Sequence, residues 1–251
     1  MALSLDIRKA LCARAHARRQ WPEMGFNDQS ANLLAQLLGI NLKQRLPLQD
    51  EQKIIERCQW FDERCLDFFQ RHPRAMCIEL GAGFSTRFHR LSDTADWPRF
   101  EWVDVDLPQV TSSKAKVLPA IDNYRLVSAD IMNDNWLSQS GWVAGQPLLI
   151  LMEAVSTEIG DDAILKLLYR LRQAASSAEE LELVLDVRQS SRWQNWLKTI
   201  AVAFGAGFTL PITSSVSTLE YLDYHIAHQK KLLGNTAVGL VINYKNHQEL
   251  L

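Results

Sequence analysis

The sequence predicts an α/β fold: a mainly parallel, seven-stranded sheet with helices on both faces and a helical extension at the N-terminus. Three observations carry this. From Ala75 onward, short apolar runs alternate with segments of helical periodicity, the pattern of a sheet wound from strand–helix units. Before Ala75 the hydrophobic spacing is helical throughout. No linker, low-complexity stretch or internal repeat interrupts the 251 residues. Residues 1–251 therefore read as one domain, with 1–74 as the extension and 75–251 as the core.

The elements follow in order. Ile7, Leu11 and Ala15 mark the apolar side of a first helix, and Trp21-Pro22-Glu23-Met24-Gly25 is a turn signal behind it. Asp28 or Ser30 can cap a second helix carrying Leu33, Leu34, Leu37 and Leu38. Pro47 opens a longer one. Its Ile54, Cys58, Phe61, Cys65 and Phe68 form the stripe of a core-facing helix, and His72-Pro73 stops it. Strands are expected near 75–80, 100–105, 124–128, 147–153, 181–187, 217–226 and 236–244. Helices are expected between them, near 85–91, 108–117, 133–139 and 161–175, the last with Ile164, Leu168, Leu171 and Ala175 inward. Another is expected from about Ser190, with Trp193, Leu197, Ile200 and Phe204 on its core side.

Composition narrows the function classes. At 47% apolar and 22% charged residues the chain can bury a substantial core. A net charge of −2 gives no electrostatic reason to expect nucleic acid or an anionic membrane as partner. No run approaches the roughly 18 apolar residues of a membrane span, and the N-terminus has no signal-peptide core, so a cytoplasmic location is expected. The five Lys/Arg among residues 1–20 read as the basic face of the first helix rather than as a transit peptide. Cys12, Cys58, Cys65 and Cys77 lack Cys-x-x-Cys spacing and a nearby histidine pair, so reduced buried thiols are expected and a metal site is not.

The strand ends carry the chemistry. Ligands of such sheets bind at the carboxyl ends of the strands, near the point where strand order reverses. The first strand ends in Glu79 and runs into Gly81 and Gly83, whose lack of a side chain lets a ligand approach the backbone. Ser85 stands where a dinucleotide loop would have a third glycine, and a dinucleotide site does not account for Glu79 or Asp130. The second strand runs into Asp106, the third ends at Asp130-Ile131 and the fourth at Glu153. The pattern suits a sulfonium nucleoside such as S-adenosylmethionine. Asp106 can accept from the ribose hydroxyls, and Asp130 with Ile131 can meet the adenine amino group and ring. Glu153 can face the cationic methionine end. The methionine carboxylate still needs an arginine. Each acid could instead be a helix cap, and the glycines a tight turn.

Several segments together resemble the leucine carboxyl methyltransferase family, in particular the bacterial branch similar to the tetracenomycin-type polyketide O-methyltransferases. They are Gly81-Ala82-Gly83-Phe84-Ser85-Thr86-Arg87-Phe88-His89-Arg90-Leu91, Val105-Asp106-Leu107-Pro108-Gln109-Val110, Arg57 with Phe61-Asp62, and Ser128-Ala129-Asp130 followed by Asn135-Trp136-Leu137. The resemblance runs from about Arg14 to Asp186. It implies a Rossmann-like class I methyltransferase fold. It implies that Arg57, Gly81, Asp106, Asp130, Ile131 and Glu153 contact S-adenosylmethionine, with Arg57 on the methionine carboxylate and Arg14 assisting. Arg87 and Arg90 are expected to be structural.

One departure bears on the acceptor. The family has Glu-Gly-x-x-x-Tyr after the fourth strand. This chain has Glu153-Ala154-Val155-Ser156-Thr157-Glu158, which puts a carboxylate where the family has a tyrosine near the methyl acceptor. Glu158 is therefore the candidate catalytic residue, as a general base for a hydroxyl or ammonium acceptor, with His89 as a second candidate. Capping of the following helix is its bland reading. The expected function is methylation of a small molecule, at a carboxyl or hydroxyl oxygen, in secondary metabolism. N-methylation, or a non-catalytic protein that keeps the cofactor site as a sensor or scaffold, are the alternatives. The oligomeric state is left open.

Overall fold

The computed structural model describes residues 5–43, 45–92, 99–132, 136–155, 159, 161–188, 224–232 and 237–244. Its helices are α1 (Leu5–Gln20), α2 (Gln29–Leu37), α3 (Leu48–Arg71), α4 (Arg87–Ser92), α5 (Pro108–Ala115), α6 (Trp136–Ser140) and α7 (Asp161–Ser177). The strands are β1 (Met76–Leu80), β2 (Glu101–Asp106), β3 (Tyr124–Ser128), β4 (Leu148–Met152), β5 (Leu181–Arg188), β6 (Tyr224–Leu232) and β7 (Ala237–Tyr244).

They form one sheet in the order β3-β2-β1-β4-β5-β7-β6. The first five strands run parallel, and β7 lies antiparallel between β5 and β6. Strand order reverses between β1 and β4, where a crevice opens at the carboxyl ends of the strands.

Alternation along the strands divides the core in two. Met76, Ile78 and Leu80 of β1 pack with Leu148, Ile150 and Met152 of β4 under α7, whose Ile164, Leu168 and Leu171 point inward. Cys77, Trp102, Leu149, Leu151 and Val184 face the other way, onto Phe61, Cys65 and Phe68 of α3 and Phe88 of α4. The same period of two puts Glu79, Asp104 and Asp186 on the α3–α4 side, and residue parity carries Asp106 and Glu153 there as well.

The N-terminal helices have their own apolar contacts. Leu11 of α1 packs with Ala31 and Leu34 of α2 and with Phe84 of the glycine loop. Asp28 caps α2, accepting from the Ala31 N–H at 2.9 Å. Leu33 and Leu37 of α2 stay exposed. All four cysteines are buried and free.

One expectation shifts. The sixth strand runs on to Leu232, past 226, because Gln229, Lys230 and Lys231 lie on an exposed sheet edge where polar residues hide the strand pattern. Its expected beginning at 217 lies outside the described residues, as does the helix expected from Ser190.

Candidate functional site

The glycine loop is shaped by what touches it. Gly81 has a φ of +63°, and a Cβ built there would lie 2.6 Å from a methyl of Val155, so backbone and space both require glycine. Gly83 has a φ of +52° and donates its N–H to the Asp106 carboxylate at 2.6 Å. The other Asp106 oxygen accepts from the Leu107 N–H at 2.7 Å. Burial raises the Asp106 carboxyl above its ordinary pKa, while these two N–H donors pull the other way. Lys114 of α5, itself buried, donates to the Ser85 carbonyl at 2.9 Å and pairs with Asp104. The loop is thus tied to β2 and α5.

Beside this loop lies a cavity of about 650 Å³. Its walls include Arg57, Gly81, Gly83, Asp106 and Glu153, five of the seven residues expected at the cofactor. Asp130 and Ile131 do not line it. They follow β3 at the same end of the sheet, where the Ala129 N–H donates to the Asp106 carbonyl at 3.0 Å, and Asp130 is exposed. Helix α1 contributes Asp6, Ile7, Lys9, Ala10 and Arg14 to the wall, a role its amphipathic pattern gave no sign of.

Along the cavity wall and into the protein beneath it runs a chain of largely buried ion pairs. Arg14 donates to the Phe84 carbonyl at 2.6 Å and lies 3.5 Å from Asp28. Arg90 reaches Asp28 at 2.7 Å and clasps Asp62 with two bonds of 2.7 Å. Arg87 takes Asp62 at 2.8 Å, and its two terminal nitrogens pair with Glu79 and Glu153. Arg57 pairs with Glu153 at 3.0 Å and with Asp186 at 3.6 Å. Asp186 also accepts the Ala154 N–H at 2.6 Å. Arg87 and Arg90 are engaged by internal carboxylates, and both also line the cavity. Arg57 already has two internal carboxylates.

The charges sort by partner. Burial works to raise Glu153, but Arg87 and Arg57 hold its carboxyl far below the usual range. Glu79 goes the other way. It is 2% exposed, and burial, with the nearby charges of Asp104 and Glu153, outweighs Arg87 and raises it to about 7. Ser85 donates its hydroxyl to Glu79 at 2.9 Å. Burial and the facing Glu153 push the Cys58 thiol up to about 12.

Other candidates fall elsewhere. The His89 ring lies off the cavity wall, edge-on to Tyr124 with centroids 5.1 Å apart. Glu158 lies outside the described residues, as do Trp193 and Trp196. No tryptophan lines the cavity among the described residues. One residue that sequence reasoning missed is Asp186. Extending the strand-end acids from four strands to a fifth would have found it in Leu183-Val184-Leu185-Asp186.

Comparison with known proteins identifies the family and the fold. Residues 8–172 match the model of the leucine carboxyl methyltransferase family. The chain is 26% identical, over 80% of its length and 73% of the relative's, to the tetracenomycin polyketide synthesis O-methyltransferase TcmP of Streptomyces glaucescens. It is 28% identical to the S-adenosyl-L-methionine-dependent methyltransferase dpfgK of Gibberella zeae, over 47% of this chain but only 41% of that protein. Among solved structures, a protein of Thermobifida fusca YX assigned as a methyltransferase superposes with a TM-score of 0.55 at 13% identity, covering 95% of this chain and 94% of that one. Magnesium protoporphyrin IX methyltransferase from Synechocystis PCC 6803, solved with bound SAH, superposes with a TM-score of 0.51 at 12% identity, covering 88% and 96%. At these identities the two structures show the shared fold, and the match across residues 8–172 shows more: the chain belongs to the leucine carboxyl methyltransferase family.

Proposed function

We propose that the cavity between the glycine loop, Asp106 and Glu153 holds S-adenosylmethionine, and that the chain transfers its methyl group to an oxygen of a small molecule. The enzyme is a methyltransferase of the leucine carboxyl methyltransferase family. The observation that carries the site is the coincidence, on one wall, of two glycines at positive φ and acids from the ends of three strands. The volume lies within the roughly 300–1,000 Å³ usual for small-molecule sites. The wall carries both charge signs, as a zwitterionic sulfonium requires.

Each residue then has a task. Asp106 has lone pairs left, after its two backbone N–H donors, to accept from the ribose diol. Glu153 is an ionised carboxylate over the whole physiological range and suits the ammonium. Arg57, held between Glu153 and Asp186, offers its remaining guanidinium N–H groups to the methionine carboxylate. Asp130 and Ile131 serve the adenine from the neighbouring strand end. When bound, the cofactor would supply an electrophilic methyl carbon, which the acceptor oxygen would attack in line with the C–S bond while the sulfur leaves with that electron pair as S-adenosylhomocysteine. The chain's contribution is alignment and exclusion of water. A carboxylate acceptor needs no base, whereas a hydroxyl must pass its proton to one, and Glu158 is the candidate.

Calorimetric titration with S-adenosylhomocysteine tests the reading. Binding of that compound and no response to NAD is expected; the reverse would sink the proposal. Asp106→Ala should weaken binding by about 1–3 kcal/mol through loss of the ribose contacts and of the Gly83 anchor. Exchange of Glu158 for Tyr, assayed on a panel of acids, phenols and amines, should change the acceptor profile; an unmoved profile would place Glu158 away from the acceptor.

A further inference from the structure

Asp186 stands outside the residues 8–172 that match the family, yet it touches two parts of the cofactor wall. One carboxylate oxygen accepts the Ala154 N–H at 2.6 Å, and the other lies 3.6 Å from the Arg57 guanidinium. The side chain is 4% exposed. Ala154 is the one non-glycine residue with positive φ among the described residues, at +63°. An L side chain there is strained. The backbone on either side matters to the site. Glu153 points its carboxylate to Arg57 and Arg87, and Val155 rests against Gly81.

We propose that Asp186 is a positioning residue for the cofactor site: it holds the Glu153–Val155 turn in its left-handed form through the Ala154 N–H, and it sets the direction of Arg57. The proposal rests on the reading that this cavity takes S-adenosylmethionine. A strained turn keeps an unfavourable backbone geometry only when its surroundings impose it. Here the imposing group is a buried carboxylate that also orients the arginine. The turn would relax without it, moving Glu153 away from the ammonium and Val155 off the glycine loop. The same carboxylate explains how alanine is tolerated where glycine would fit without strain.

The experiment titrates S-adenosylhomocysteine into the wild-type chain, Asp186→Ala, Ala154→Gly and the double variant, with thermal unfolding of each in parallel. Asp186→Ala is expected to bind on the order of tenfold more weakly, the loss typical of removing one hydrogen bond to a charged group. Glycine at 154 in that background should recover a large part of the affinity, because it needs no external group to hold a positive φ. A loss confined to thermal stability with unchanged affinity, or a double variant no better than Asp186→Ala, would overturn the proposal. Should Asp186→Ala fail to fold, Asp186→Asn keeps an acceptor for the Ala154 N–H but removes the charge beside Arg57. Its affinity should fall while its unfolding midpoint stays close to wild type, and equal affinity would count against the role on Arg57. A wild-type chain that does not bind S-adenosylhomocysteine would overturn the cofactor reading itself, which the variants alone cannot do.

Discussion

Glu79 and Glu153 are one strand apart, the first buried, the second partly exposed at the cavity wall, and both are bonded to Arg87, yet their protonation differs. Glu153 has a second arginine, Arg57, and Glu79 has none. The folded protein therefore holds a proton on Glu79 up to a pH of about 7, against an ordinary value of about 4.5. Between those values the folded state binds more protons than the unfolded one. Its stability contribution is full below the lower value and is lost as pH rises through the upper. Glu79→Gln removes the titration. The difference in unfolding midpoint between variant and wild type should move in the variant's favour from about pH 5 to about pH 8; a constant difference would show that Glu79 does not titrate there. Ala154 offers a second residue-scale prediction. Ala154→Gly relieves a left-handed alanine and should stabilise the native state by about 0.5–1 kcal/mol, net of the added backbone entropy, as read from chemical denaturation.

Single elements were legible to the extent that their chemistry is local. Cys58, Phe61, Cys65 and Phe68 recur at helical spacing because α3 buries one face, so sequence periodicity recorded its contacts. The glycine loop and the acids at 106 and 153 were legible for the same reason, being tied to strand ends. Only the family resemblance pointed to Arg14 at the cofactor; what α1 does was not legible in its own pattern. Its apolar residues say that it packs, but Arg14 reaches the Phe84 carbonyl only because the chain between them folds back, and no local pattern encodes that. Lys114 is a similar case. A lysine near the end of a short helix reads as solvated, yet it is 1% exposed and links α5 to both Asp104 and the glycine loop. Lys114→Met should leave Asp104 with only the Trp102 and Tyr124 donors, and should destabilise by about 3 kcal/mol, as expected when one partner of a buried ion pair is lost. A much smaller loss in a denaturant titration would show that those two donors satisfy Asp104 alone.

For the whole molecule, ligand binding and folding are linked because the cavity draws on α1, α3, β1, β2 and β4 at once. A ligand that binds only the folded chain at a hundredfold excess over its Kd stabilises by about 2.7 kcal/mol. For a chain of this size that corresponds to a rise of roughly 5–10 °C in Tm, expected with S-adenosylhomocysteine and not with NAD. The α/β class and strand count were readable from the alternation of patterns, while the order in which strands pair was not, since β7 inserts between β5 and β6 through contacts far apart in sequence. The contact of Val155 with Gly81 has a consequence for how such an enzyme can change over generations. The two positions share one volume: a methyl group present at 155 forbids one at 81. Enlarging the residue at 81 first meets a collision, whereas trimming 155 first removes the collision and leaves only the backbone strain of a left-handed residue. The order of substitutions, rather than their sum, then decides which descendants of this sequence still fold around a donor site.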